Sequence, residues 1–489
     1  MARPSSPDIE AYRLMCAGRF SEALEFAERA LAGQSRCVPA HAMLATILLR
    51  LGRPLEAERV VSHALTCSPG IADAYDGLAH VSMLLGQYQR SNALYRRVVE
   101  IDPGTPRFWY NLASSERSFG RLAEAEAACD RAIALDRTQY PSYLLRSELR
   151  VQTSETNHVV ELQAQLARTG NDDRARVFLG YALAKELDDL ERFDEAYRWF
   201  HDAARTRRRH LAYDVSVDER KLRRIKDAFE RSPVRGAPKS QHRIDSSRYV
   251  FVAGLPRSGT TLVERILTGL AGVRSNGETE NFSRALLAAS PTDSRDVFAR
   301  AEAADPDTVA ANYHKLAGDA EHGASIIEKL PMNYLYLGAI HRALPQAKLL
   351  LVRRAPLDSC FAMYRTLFGD AYPFSYDFED LARYYAAYDA LIRHWHAVLG
   401  EDVYEIFYED LVQDPLRVGA ALARHCGLEW NAQAIEVQKN AAVSLTASAA
   451  QIRRPIYGSS SGRWRRYGSH LEPLIHALRR HGVELPADA

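Results

Sequence analysis

A glycine returns every 34 residues near the start of the chain, at Gly18, Gly52, Gly86 and Gly120. Three other positions keep the same register. Seven residues before each glycine stands an alanine (Ala11, Ala45, Ala79, Ala113), and five after it a small residue (Ala23, Ala57, Ser91, Ala125). Twelve after it come Ala30, Ala64, Val98 and Ala132. Pro69 and Pro103 close the second and third units. Such a period belongs to a unit that cannot bury its apolar face alone and stacks on copies of itself. The pattern predicts two antiparallel helices per unit. Small residues let the helices cross closely, and glycine permits the tight turn between them. Leu24, Leu48, Tyr75, Leu78 and Leu94 remain to fill the spaces between units.

This spacing and residue pattern resembles the tetratricopeptide repeat, over four units at about residues 5–137. The resemblance implies an N-terminal helical solenoid whose concave face binds peptide. A docking or homodimer support is the other role open to it. After these units the period fades. Residues 140–152 still read as helical, and residues 173–206 look like one more repeat, with Ala184, Ala196 and Ala203 in the small positions. Glu191 stands there where the turn glycine belongs. A basic, helical stretch follows, RTRRRHLAYDVSVDERKLRRIKDAF. Pro, Gly and Ser in 232–247 mark a linker. The expected organisation is repeats over 1–140, a further helical repeat and basic segment over 141–231, the linker, and a second domain over 248–489.

The bulk numbers exclude several classes. At 489 residues the chain is too long for one hydrophobic core. A net charge of +1 provides no global field for nucleic acid or membrane, so an anion site must come from local clusters. Cys16, Cys37, Cys67, Cys129, Cys360 and Cys426 form no CxxC pair, and no HExxH occurs, so neither a metal site nor a disulfide framework is indicated. There is no run of about 18 apolar residues that would span a membrane. The start, MARPSSPDIEAYR, lacks the apolar stretch of a signal peptide, and the expected location is the cytoplasm.

The chemistry concentrates in the second half. RYVFVAG (248–254) reads as a buried strand and TLVERILTGL (261–270) as a helix. Between them lies GLPRSGTT. A strand, a glycine loop and a helix in this order make a phosphate cradle, with the N–H groups of Ser258–Thr261 and the helix N-terminus turned to an anion. Gly254 and Gly259 have the spacing of the nucleotide-triphosphate loop GxxxxGK[ST], but Thr260 replaces its lysine. Without that lysine the loop suits a donor with one 5'-phosphate and one further group, which Arg257 could face.

PRSGTTL resembles the 5'-phosphosulfate loop of sulfotransferases that use 3'-phosphoadenylyl sulfate (PAPS). The surrounding chain, about residues 248–467, is similar to bacterial sulfotransferases carrying tetratricopeptide repeats and more distantly to tyrosylprotein sulfotransferases. The resemblance implies a P-loop-like, doubly wound parallel α/β domain. It assigns Pro256, Arg257, Ser258, Gly259, Thr260 and Thr261 to the 5' end of the donor. SNGETEN (275–281) resembles the segment carrying the catalytic base, here Glu278, with Glu280 as competitor. KLPMN matches K-x-P-x-N and makes Lys329 a catalytic lysine at a strand end. RAPLDSCFA resembles the 3'-phosphate segment RxPxDxxxS, with Arg354, Pro356 and Asp358 in place. Its serine position holds Ala362, so Ser359 or Arg353 would have to share that contact. QIRRPIYGSSSGRWRRY (451–467) resembles the flap over the nucleotide and offers Arg454, Ser461, Arg463 and Trp464, with Gly462 where the tyrosylprotein enzymes have serine. VYEIFYEDLV (403–412) reads as a supporting strand and helix without substrate contact, and the aromatic stretch Phe368–Phe378 as either an acceptor pocket or a packed loop.

The implied reaction is in-line sulfuryl transfer from PAPS to a hydroxyl, releasing PAP. Glu278 would take the proton and Arg257 and Lys329 the charge of the leaving phosphate, with no metal. The acceptor could be a protein or peptide tyrosine, a glycan or a small hydroxylated metabolite. A P-loop kinase lacks its cation at Thr260. A repeat scaffold with an inactive nucleotide domain is the remaining alternative.

Overall fold

The computed structural model describes residues 6–33, 38–67, 70–231, 245–291, 296–318, 324–446 and 448–486. Cys37, Pro69 and residues 232–244 of the expected linker lie outside the described residues. The chain forms two compact units, Met1–Leu149 and Arg150–Ala489.

In the first unit the period becomes four helical hairpins. Their helices are Pro7–Cys16 with Phe20–Gly33, Val38–Arg50 with Pro54–Thr66, Ala72–Leu84 with Tyr88–Ile101, and Pro106–Phe119 with Leu122–Leu135; Tyr140–Glu148 follows. All four turn glycines are left-handed, with φ between 72° and 78°. An alanine there would pay the steric cost of that conformation, about 1–2 kcal/mol. Each turn closes in the same way: the glycine N–H bonds the carbonyl three residues back, and the next N–H bonds the carbonyl five residues back. Ala11, Ala45, Ala79 and Ala113 are fully buried, as are Ala23, Ala57 and Ala125. Ser91, the polar member of the series, satisfies its hydroxyl on the Ala79 carbonyl at 2.8 Å. Ala30 departs from the series and is only half-buried.

The second unit begins well before the expected linker. Its helices Val159–Thr169, Asp173–Asp189, Phe193–Arg209 and Val215–Arg231 belong with the sheet rather than with the repeats. Side-chain chemistry explains this. Arg383, on helix Phe378–Leu399, holds the Glu219 carboxylate through two bonds at 2.9 and 2.5 Å. The buried Tyr181 donates to the Tyr364 carbonyl at 3.2 Å. The hairpin formed by Asp173–Asp189 and Phe193–Arg209 repeats the turn of the first unit, with Glu191 taking φ 59° in the glycine's place. Its N–H bonds Asp188 O and that of Arg192 bonds Leu187 O, as in the four glycine turns.

Strands β1 (Tyr249–Gly254), β2 (Val273–Ser275), β3 (Ser325–Lys329), β4 (Lys348–Arg353) and β5 (Val403–Phe407) form one parallel sheet in the order β2-β3-β1-β4-β5. Every residue of β1 is buried, as a central strand covered on both faces must be. One face packs Val250, Val252, Leu350 and Val352 against Val263, Ile266 and Leu267 of the following helix. The other carries an aromatic cluster of Tyr249, Phe251, Phe282 and Tyr313. The chain passes from β3 to β4 across β1. That reversal opens a crevice at the carboxyl ends of these strands, where open α/β sheets bind ligands.

Candidate active site

Three strand ends meet at this crevice. Gly254 ends β1, Lys329 ends β3 and Arg354 follows β4. Beyond β1 the chain makes a tight loop that only glycine permits at two points. A Cβ at Gly254 would come within 2.3 Å of the Val352 carbonyl oxygen, and one at Gly259 within 2.5 Å of the Tyr408 ring. Arg257 itself is left-handed, φ 66°, a strained conformation of the kind that clusters at functional sites. Helix Thr260–Leu267 starts at Gly259 without a side-chain cap, so its first N–H groups are left for an external acceptor. The loop does not offer all the amides expected of it. The Ser258 N–H is used within the loop on Leu255 O at 3.2 Å. Pro256 and Ser258 are buried and do not line the cleft.

The cleft has a volume of about 140 Å³ and is lined by Arg257, Gly259, Thr260 and Thr261 of the loop together with Arg354, Arg454 and Arg463. The 5' loop and the expected 3'-phosphate and flap segments therefore meet in one place. Ala362 lines it too, as the sequence pattern places it. Ser359, the suggested substitute hydroxyl, is 1% exposed and stands outside the lining. Arg365, one helical turn beyond Ala362, reaches the cleft instead. Arg353 is also turned away, to Asp389 at 2.8 Å and Glu405 at 3.1 Å. In the flap Ser460 rather than Ser461 faces the cleft, and Trp464 is buried beneath Arg465.

Tyr408 changes the role of the β5 segment, which was expected only to support. It lines the cleft, lies under the Arg354 guanidinium at 4.8 Å and shares a 2.5 Å hydrogen bond with Ser460. Both lie in segments the sequence brought forward, but neither Arg365 nor Tyr408 was singled out there as a site residue.

The electrostatics of the cleft are one-sided. Five arginines line it, and no carboxylate does among the described residues. The buried Nε atoms of Arg354, Arg365 and Arg463 have no partner among the described residues. An unsatisfied buried donor costs about 1–3 kcal/mol. Five arginines with no opposing carboxylate among the described lining residues fit a multiply charged anion. Leu262, Val412, Val437, Ile452 and Ile456 supply an apolar wall suited to a purine.

The remaining bonds hold these groups in place. Arg257 donates to Ser448 Oγ and, at 2.6 Å, to Gln451 Oε1. Arg354 donates to the Arg257 carbonyl at 3.0 Å and the Ser460 carbonyl at 2.5 Å. Asp358 accepts the Gly462 N–H at 2.7 Å. Asp188 takes Arg365 and Arg463, both at 2.6 Å, on one oxygen and the Tyr467 hydroxyl on the other. Burial alone would raise the Asp188 pKa, but the Arg365 and Arg463 charges outweigh it and hold the carboxyl below its ordinary value.

Glu278 and Lys329 come together at 2.5 Å, carboxylate to ammonium. Lys329 is buried, whereas 35% of the Glu278 side chain is exposed. The pair does not line the cleft. It is joined to the loop's helix through Glu264, 3.5 Å from Lys329 Nζ and itself bonded by Ser275. Glu280 takes no part in this network and stands at the N-cap of helix Asn281–Ala288. Glu328, beside Lys329 on β3, accepts from Asn281 and Tyr313 at 3.3 Å each. Burial pushes its carboxyl up to about 7, against the opposing pull of bonds from Thr279, Asn281 and Asn276. Glu328 thus grips the segment that carries Glu278. Tyr372, within the aromatic stretch, feels the Glu278 charge: burial first, and that carboxylate second, push its phenol up.

No helix is long and apolar enough to cross a membrane, and no cluster of metal-ligating side chains occurs, among the described residues. A second cavity, of about 270 Å³, is lined mostly by apolar groups such as Ile225, Phe229, Leu286 and Phe298, and none of the expected site residues reaches it.

Residues 249–432 match the sulfotransferase family, and residues 10–70 and 78–141 the tetratricopeptide repeat. An uncharacterized protein of Aquifex aeolicus (strain VF5) is 28% identical over 386 residues, covering 74% of this chain and 49% of its own. The chain thus spans about half the length of that curated relative. The sulfotransferase domain from the Synechococcus PCC 7002 olefin synthase aligns with 49% of this chain and 95% of its own at 19% identity and TM-score 0.36. Pseudomonas aeruginosa PilF aligns with 41% of this chain and 89% of its own at 20% identity and TM-score 0.31. The family matches put a domain of the sulfotransferase family in the second unit, preceded in the sequence by tetratricopeptide repeats.

Proposed function

We propose that the second unit transfers a sulfuryl group from PAPS to an acceptor hydroxyl. The observation that carries this reading is the cleft itself, with uncapped helix N–H groups and five arginines and, among the described residues, no opposing carboxylate. When bound, PAPS supplies an activated sulfuryl group on a phosphate leaving group. The chain's own residues do the rest. The loop amides with Thr260 and Thr261 hold the 5'-phosphate, and Arg257 balances charge beside it. Arg354, Arg365, Arg454 and Arg463 receive the other anionic group. Glu278 accepts the acceptor's proton. As its carboxylate is neutralised, its hold on Lys329 weakens and the ammonium charge becomes available to the departing phosphate oxygen.

The repeats that precede this unit in the sequence favour a peptide or protein tyrosine as the acceptor. Peptide docking on the repeats is the role that fits such an acceptor.

The test is calorimetric titration with PAP and with ATP, followed by turnover with PAPS and a small phenol. PAP binding together with PAPS turnover supports the reading, and ATP hydrolysis without PAPS turnover overturns it. Arg257→Ala and Lys329→Ala should each lower turnover about 100-fold, as loss of a preorganised charge does. Near-normal rates in either variant would remove that residue from the mechanism.

A further inference from the structure

The site contains one residue that the sulfotransferase chemistry does not account for. Asp188 is contributed by helix Asp173–Asp189, in a segment whose sequence resembles a repeat rather than an enzyme. Its side chain is 4% exposed. One oxygen binds both cleft arginines, Arg365 and Arg463, which lie 177 and 275 residues away in the sequence. In the four glycine hairpins the corresponding residue, three before the turn, is Met15, Leu49, Met83 or Arg117. None of these is an acid. The hairpin holds the flap at further points: His470 meets Asp194 at 2.8 Å and stacks on Tyr197 at 4.4 Å, and Phe193 packs against Tyr467 at 5.4 Å.

We propose that Asp188 is a positioning residue for nucleotide binding, fixing Arg365 and Arg463 so that both guanidinium groups face the same anion. The proposal rests on the reading of the cleft as a PAP site. A guanidinium on a long side chain has several rotamers, and clamping it on one edge leaves the other edge for ligand. Ala362 offers no hydroxyl to that ligand, so the placement of these two arginines matters all the more. The hairpin at 173–209 then serves the active site, while the preceding hairpins serve stacking.

The sign of one measurement separates positioning from charge balance. Asp188→Asn makes the cleft more positive by one charge. Were Asp188 only a neutralising group, PAP would bind more tightly. A positioning role gives weaker binding, by about tenfold for the loss of a charge-assisted bond pair. Asp188→Glu keeps the charge but moves the carboxylate by one methylene, and it should also weaken PAP. The KM for PAPS should rise in parallel while kcat at saturating PAPS changes little, a split that a general loss of packing would not produce. PAP affinity is measured by calorimetry on the full chain, with thermal unfolding alongside. Tighter or unchanged PAP binding in Asp188→Asn overturns the proposal, and if that variant does not fold, unchanged binding in Asp188→Glu does so. Failure of the unmodified chain to bind PAP would instead sink the sulfotransferase reading.

Discussion

The hairpins of the first unit and the hairpin at 173–209 share a turn and differ in what surrounds it. In the first unit the turn residue is glycine, and Met15 and Leu49, three residues earlier, pack partly against the apolar core. In the later hairpin the turn residue is Glu191, and the residue three earlier is Asp188, buried on two arginines and a tyrosine. One backbone device thus has two uses. In the first unit the hairpins stack on their neighbours, and the buried carboxylate beside one turn, Glu116, pairs with arginines of the repeats themselves. In the later hairpin Asp188 organises cations that belong to a distant part of the chain. A repeat-like sequence is therefore no guarantee that a segment belongs with the repeats, and departures from the pattern identify the hairpin that does not.

The largest test of this difference is truncation. Removing residues 1–149 should leave PAP binding and turnover of a small phenol intact, whereas removing 1–230 should abolish both, because the helices held to the rest of the second unit through Tyr181 and Glu219 leave together with Asp188. If the longer deletion still binds PAP normally, the later hairpin is dispensable and the two regions are alike after all. Loss of peptide turnover with retained phenol turnover in the shorter deletion would assign substrate docking to the repeats.

A smaller effect comes from the turns. Gly86→Ala forces an alanine into the left-handed region with open space around it, and should destabilise by about 1 kcal/mol. Glu191→Gly releases the same strain, partly offset by glycine's extra unfolded-state freedom, and should stabilise by roughly 0.5 kcal/mol. Denaturant unfolding of the full chain checks both. Loss of stability in Glu191→Gly would mean that the contact of Glu191 with Arg466, at 3.5 Å, outweighs the strain.

A further effect concerns the pH dependence of the second unit. The Glu328 carboxyl titrates near 7 in the fold against an ordinary 4.5. A carboxyl raised in this way binds its proton more tightly when folded, so its contribution is complete below about pH 4.5 and is lost as pH rises through 7. Stability measured across that window should decline, and Glu328→Gln should flatten the decline. An unchanged slope in Glu328→Gln would place the titrating group elsewhere.

The sequence by itself determined the features whose causes are local. A glycine every 34 residues fixed the hairpins, because a left-handed turn and close helix crossings depend on residues within one unit. The spacing of Gly254 and Gly259 located the loop, because backbone approach to Val352 and Tyr408 excludes a Cβ at both. The family resemblance, rather than a local pattern, singled out Glu278 and Lys329, which the fold brings within 2.5 Å of each other. Only the tertiary structure decided which side chains share the cleft. Ser359, inside helix Pro356–Tyr364, and Arg365, which caps its end, stand three residues to either side of Ala362, yet the short serine is enclosed and the long arginine reaches the cleft. Tyr408 and Ser460 are 52 residues apart and Asp188 and Arg463 are 275 apart. No local pattern encodes such pairs, since each exists only where packing brings two distant backbones within reach of one hydrogen bond.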